Sequence, residues 1–305
     1  MVRAVSEIIS KKPKKTLIFM LEAMMVSLAI TTPVLLFFPE YGHVAPSYDL
    51  TLSLCAGAVV YGIGASINQS CAFGTMNQLS QGDFNFFGTV IGMVIGFAVL
   101  DRIGRFGIYY AHVSQDLEGN HSVYALVVLF VLAWVMIGWI ALQFYQSTLS
   151  FRKKMEQLLF SPVARTHLSV FILGIGSGSL YLLLGTNWDY TSWLYHAQQY
   201  ATYGVVSFDD QFEILGYTAL SLVIGKVTAA YLSKNFYLRP LQISSILEKI
   251  FGGCLMGLGV GLIPGGNDTL ILYSASGLAT HTLPAMCVMG ATIWVMLKIG
   301  QRLDQ

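Results

Sequence analysis

The sequence predicts an all-α polytopic membrane protein, and three observations carry that expectation. Only 11% of the 305 residues are charged, where soluble domains average about 25%. Hydrophobic residues make up 55%. Apolar stretches long enough to span a bilayer, which needs about 20 residues, recur along the whole chain. The net charge is +1, which offers no basic surface for nucleic acid. The opening MVRAVSEIISKKPKK carries charges but no apolar run before its lysines, so no cleavable signal peptide is expected.

The spans can be taken in order. Residues 16–38 form the first, with Glu22 near one end. Residues 49–66 form a Gly-rich second. Residues 84–100 carry Gly88, Gly92 and Gly96 at four-residue spacing, a face of small residues suited to close helix contact. Residues 122–148 form a long uncharged run. Residues 166–184, 211–232 and 281–302 follow. The stretch 241–277 looks too interrupted for one clean span. The chain is read as one transmembrane domain over 1–305, with a first half over 1–150 and a second over 151–305.

Lysine and arginine collect in short cytoplasmic loops. The KKPKK run, Arg152 to Lys154 with Arg165, Lys234 with Arg239, and the end at Lys298 and Arg302 are therefore placed inside. Loops 39–48 and 185–210, acidic and without Lys or Arg, are placed outside. Arg102 and Arg105 fall in a loop that this scheme puts outside, in conflict with the rule.

Two blocks raise the question of function. NQSCAFGTMNQLSQGD (68–83) and GGCLMGLGVGLIPGGND (252–268) each contain a cysteine, Cys71 or Cys254, followed by glycine at +3 and +11. Each ends in an aspartate, Asp83 or Asp268, before a new apolar run. Pro264-Gly265-Gly266 ends a helical pattern, since proline supplies no backbone donor and glycine permits left-handed turns. Asp83 and Asn267 or Asp268 are good N-caps. Irregular backbone at membrane depth occurs where protein or a cavity covers it. Paired broken helices meeting near the midplane mark transporter substrate sites, and their free N–H groups attract anions. Beside this stands a simpler reading, a duplicated fold whose cysteines only pack.

GGCLMGLGVGLIPGGNDTLILY followed by THTLPAMCVMGATI resembles the C-terminal signature of the YeeE/YedE family. SINQSCAFGTMNQLSQGD resembles that family's first-half cysteine motif, and TNWDYTSW (186–193) a Trp-containing segment between them. The resemblance covers about residues 50 to 300. It implies a pseudo-symmetric, hourglass-like helical bundle with inverted repeats and broken or re-entrant helices. It implies a bacterial inner-membrane transporter of sulfur compounds, thiosulfate above all, that needs no cofactor and works beside a small soluble sulfur carrier of the TusA type. Carried over by motif, Cys71 and Cys254 become thiols on a central path. The family often has another cysteine in the first helix region, where LEAMMVSLAI has none, so a mechanism that needs that thiol is not implied here.

Thiosulfate is a soft dianion, and a thiol is a weak donor with a polarizable sulfur. The expected site pairs Cys71 and Cys254 with backbone N–H groups at Gly82–Asp83 and across Gly265, Gly266, Asn267 and Asp268. Asn68, Gln69, Asn77 and Thr269 assist. Cys287, in the last span, is a further path candidate, and Cys55 reads as packing. Lys226 is a charge inside an apolar span; its place near a helix end reads as snorkelling to the interface, against a functional role. Glu22 reads as an interfacial acid or a lysine's partner, and His281 as a helix-start residue. Trp134, Trp139, Trp188, Trp193 and Tyr195 read as interfacial anchors. The alternatives kept open are a sulfur-transfer protein with a cysteine persulfide and a channel for a small neutral solute.

Overall fold

The computed structural model describes residues 1–41, 45–104, 130–135, 138, 162–185, 187–204 and 209–303. The structure is 80% helical, with no strands among the described residues. A short helix α1 (Val2–Ile9) precedes α2 (Lys15–Phe37). Glu7 ties the two together, because Thr16 donates to it through N–H at 2.9 Å and through Oγ1 at 2.7 Å. Slight burial raises the Glu7 carboxyl, but the Thr16 bonds and Arg3 outweigh it and hold it below its ordinary value. Then come α3 (Leu52–Ile67), α4 (Ala72–Ser80) and α5 (Phe87–Gly104). After residues 105–161 the chain continues with α6 (Pro162–Leu184), α7 (Tyr190–Tyr203) and α8 (Asp209–Leu232). The last elements are α9 (Ile243–Leu262), a short helix Asn267–Thr269 running into a π-turn over Leu270–Ser274, and α10 (Thr282–Leu303).

Seven helical segments among the described residues are long and apolar enough to cross a membrane. They match the spans expected from the sequence, with one addition. The stretch 241–277 is interrupted as expected, between Ile263 and Gly266, but its first part, Ile243–Leu262, is one continuous helix long enough to span by itself. Its glycines do not break it because they lie against neighbouring backbones. Of the span expected at 122–148, only 130–135 and 138 fall among the described residues, and these are helical.

The centre of the bundle is α9, packed between α3 and α5. Side-chain size explains the closeness. A Cβ on Gly92 would come within 2.1 Å of the Ile250 carbonyl oxygen, and one on Gly96 within 2.3 Å of the Cys254 oxygen. From the other side, a Cβ on Gly253 would come within 2.3 Å of the Thr89 oxygen. The small-residue face on α5 therefore meets its counterpart on α9. Tyr61, Met93, Phe97, Met256, Ile263 and Met289 fill the core around this contact. The outer surface is apolar too: Leu183, Tyr217, Leu232, Ile243 and Leu283 are exposed, as lipid-facing residues must be.

Candidate functional site

Two helices stop inside the protein and restart. α3 ends at Asn68; Gln69 takes a left-handed conformation (φ 55°) and Cys71, extended, precedes α4. α9 ends at Ile263; Gly265 lies at φ 149° and Gly266, extended, precedes Asn267. The closing bonds correspond. Ser70 N–H donates to the Ala65 oxygen at 3.0 Å, and Gly265 N–H to the Val260 oxygen at 2.9 Å. Each reaches back five residues, the longer bond of a Schellman turn. This pairs Ser70 with Gly265 and Cys71 with Gly266. Cys254 lies twelve residues before Gly266 (266 − 254), inside α9. The sequence repeat, which set Cys71 against Cys254, used a different register.

A tyrosine joins the two restarts. Tyr61 of α3 is fully buried. Its hydroxyl donates to Asn267 Oδ1 at 2.5 Å and accepts from the Ala72 N–H at 3.2 Å. Asn267 Nδ2 reaches the Cys71 sulfur at 3.5 Å. Tyr190 donates to the Ala72 carbonyl at 2.9 Å. The thiol at one break and the amide at the other are thus held together through α3.

Behind Asn267 lies a crossed pair of carboxyls. Asp189 caps α7 and accepts from Thr269 Oγ1 at 2.9 Å. Asp268, next to Thr269, accepts from Thr191 Oγ1 at 2.5 Å. Each aspartate takes a hydroxyl from the other's segment, and both are 1% exposed.

Two cavities flank this arrangement, at opposite ends of α3. One, of about 330 Å³, is lined by Gln69, Cys71, Asn77 and Asn267, with α1 contributing Met1 and Val2. The other, of about 340 Å³, is lined by Tyr48, Thr191, His196, Pro264 and Gly265. Burial lowers the His196 imidazole below its ordinary value, against the pull of Asp189. Residues 265 and 267 thus border different cavities, with Gly266 between them in the chain.

The expected site residues are distributed unevenly over this geometry. Gln69, Cys71, Asn77 and Asn267 share a cavity, and Gly265 lines the other. Asn68 is buried under α9, where Lys249 Nζ donates to its carbonyl at 2.9 Å. That places a cation at the carbonyl end of α3, where the helix dipole favours it. Cys254 lines neither cavity; its backbone faces Gly92 and Gly96 of α5. Cys287 is exposed on α10.

The expectation that Gly82–Asp83 offers free N–H groups is corrected. Gly82 N–H donates to the Leu79 oxygen at 3.1 Å and Asp83 N–H to the Gln78 oxygen at 3.0 Å. Asp83 itself caps the 3-10 turn Phe84–Phe86 and pairs with Arg239 at 2.9 Å.

Lys226 also differs from its reading as a snorkelling residue. Nζ donates to the Phe73 carbonyl at 3.3 Å and sits 5.2 Å over the Phe73 ring. From there its charge acts on Cys71 and Asp268. Phe73 belongs to α4, two residues past the thiol, so it turns the lysine inward. Trp188, read as an anchor, is buried against Leu215 and Ile271. Glu22 finds a histidine rather than a lysine, His167 Nδ1 at 2.9 Å. His281 immediately precedes α10, as read, and the Ala285 N–H returns to its carbonyl at 3.0 Å.

The residues missed from the sequence are Tyr61, Asp189, Tyr190 and Thr191. The last three lie in the TNWDYTSW segment, which carried a family signal without a chemical one. Tyr61 sits within an apolar helix and gave no signal.

A search among curated proteins finds no match. A comparison with protein families matches residues 1–295 to the family described as sulphur transport. A multi-pass helical protein fits that description, and with nearly its whole length matched the chain belongs to the YeeE/YedE sulphur transport family.

Proposed function

We propose that this transporter takes up thiosulfate, or a closely related small sulfur anion, across the bacterial inner membrane. The path runs from the Thr191–Gly265 cavity, past the Asn267–Asp268 segment, to the cavity at Cys71. The observation that carries the reading is that one short segment, Gly265 to Asn267, borders both cavities and touches the thiol. Cys71 receives the sulfur end of the anion through a weak, soft contact. Positive charge for a dianion comes from Lys226, seated over Phe73, and from Arg3 and the Met1 ammonium at the Cys71 cavity. A soluble carrier of the TusA type takes the sulfur on the cytoplasmic side.

The test is uptake of sulfur-labelled thiosulfate in cells lacking their own importer, with membrane insertion checked in parallel. Cys71→Ala is expected to lower uptake by about tenfold or more, as loss of a contact to a charged group does. Cys254→Ala, away from both cavities, is expected to lower it less. Wild-type protein that inserts but takes up no label sinks the thiosulfate assignment. Equal uptake in wild type and Cys71→Ala removes the thiol from the path.

Lys226 also supports a second reading. A persulfide mechanism needs a cation near the reacting thiolate, and Lys226 is placed to act on Cys71. The thiolate would attack the outer sulfur of thiosulfate, the S–S bond of the anion would break, and sulfite would leave. Sulfite released in step with a Cys71 persulfide distinguishes this from passage of the intact anion.

A further inference from the structure

The crossed carboxyls behind Asn267 differ in how many donors they receive. Asp189 Oδ1 accepts from the Ser192 N–H at 3.0 Å and from Thr269 Oγ1 at 2.9 Å, and its Oδ2 accepts from Ser192 Oγ at 2.9 Å. Asp268 receives one side-chain donor, Thr191, on Oδ2, and its own and the Thr269 N–H act on the carboxyl only weakly. Its Oδ1 is buried and has no hydrogen-bond partner. Gly266 leaves the space for that oxygen, since a Cβ there would come within 2.5 Å of it.

The groups that face Asp268 can be named for each element. Asp189 and Tyr190 approach from α7 and its cap, Tyr61 from α3 and Lys226 from α8. Cys71, at the start of α4, is reached through Asn267. On its own segment, Tyr273 acts on Asp189, as does His196 of α7. Among the described residues, neither aspartate lies at ion-pair distance from a lysine or arginine. The Lys226 ammonium acts on Asp268, and from a distance beyond ion pairing. An ionised carboxylate buried without a charged partner is costly, and such a group takes up a proton instead. Three donors stabilise charge on Asp189. One side-chain donor and a bare oxygen favour the neutral acid at Asp268.

We propose that Asp268 is a proton-binding site on the transport path, neutral while the anion passes and exchanging its proton in step with transport. This rests on the anion-transport reading. Thr191 lines one cavity and Asn267 the other, so Asp268 stands where the anion crosses from one to the other. An ionised carboxylate there repels a dianion; the acid does not. The step is a protonation only: the carboxylate gains a proton from the water of one cavity and returns it to the other.

Infrared spectroscopy of the purified full-length protein at neutral pH, compared in light and heavy water, reads the proton directly. Wild type is expected to show a carboxylic-acid carbonyl band that is missing in Asp268→Asn. Thr191→Val, which removes the donor to Oδ2 and keeps the shape, is expected to shift the band. It decides the matter if Asp268→Asn does not fold. No acid band, or an identical spectrum in the variants, overturns the proposal. In vesicles, wild-type uptake of labelled thiosulfate is expected to fall by up to about tenfold per unit of rising pH once the acid ionises. In Asp268→Asn the ratio between acid and alkaline medium approaches one, whatever the absolute rate. Wild-type uptake that does not change with pH overturns the link to transport even if the band is present. A failure to take up thiosulfate at all counts against the anion assignment, because the infrared comparison decides the proton without it.

Discussion

The two helix breaks use the same backbone device and carry different chemistry. At Asn68–Cys71 the chain turns through left-handed Gln69 and restarts behind a thiol. At Ile263–Gly266 it turns through Pro264 and Gly265 and restarts with an amide followed by a carboxyl. Both close with a bond reaching back five residues. The turn is therefore scaffold, and the residues just after it are what differ. One break presents sulfur to a cavity. The other presents Asn267 to that same cavity and sets Asp268 next behind it, against Thr191.

The breaks also differ in how replaceable their turn residues are. Gln69 at φ 55° occupies a left-handed region that a side chain can enter at modest cost. Gly265 at φ 149° occupies one that is almost exclusive to glycine. A Cβ there would also sit 2.9 Å from the Thr269 side chain. Gly265→Val is expected to cost about 3 kcal/mol, and Gln69→Ala far less. Melting temperatures in detergent check this; equal shifts in the two variants would end the distinction between the breaks. The next largest effect tests what joins them. Tyr61→Phe keeps the ring and leaves the Ala72 N–H without its acceptor and Asn267 Oδ1 without its donor. The expected loss is about 2 kcal/mol. A variant as stable as wild type would mean that the breaks hold themselves in place.

Most of the spanning architecture was legible in the sequence, because each span is a run of apolar residues and needs no partner to be recognised. The exception was the first part of 241–277. That stretch does break at 263–266, yet Ile243–Leu262 before the break is long enough to span by itself, and its Gly253 and Gly257 are where α5 backbone approaches. A sequence cannot separate a glycine that breaks a helix from one that lets a neighbour in. The site was legible in part. The Pro264-Gly265-Gly266 and Cys71 positions were found, since turn residues inside apolar runs stand out. The pairing of Cys71 with Cys254 depended on counting between cysteines. The backbone sets the register from the turns instead. Thr191 and Asp189 act through contacts with residues about 80 positions away, which no local pattern records.

Lys226 offers a way to sharpen the comparison from the transport side. It rests on Phe73 of α4, beside the thiol break, and its charge also acts on Asp268 of the other break. Lys226→Met keeps much of the stem and removes the charge. Thiosulfate uptake is expected to fall about tenfold, the equivalent of about 1.4 kcal/mol, while the melting temperature moves little. A drop in stability with uptake per folded molecule unchanged would make the lysine a packing residue.

The smallest effect concerns the aspartates. Asp83 and Asp268 end corresponding blocks in the sequence, and the structure gives them opposite surroundings. Asp83 pairs with Arg239, whose side chain is 51% exposed, and it also accepts from the Asn85 backbone and side chain. Asp268 is 1% exposed and ion-pairs with nothing among the described residues. A pair that is half in water is screened and contributes little. Arg239→Ala is therefore expected to cost about 0.5 kcal/mol and to leave the pH dependence of uptake as in wild type. The Asn85 bonds keep Asp83 in place without the guanidinium. If Arg239→Ala changed the pH dependence as Asp268→Asn is expected to, the two acids would be equivalent after all, and the carboxyl that senses the proton would not be confined to the second break.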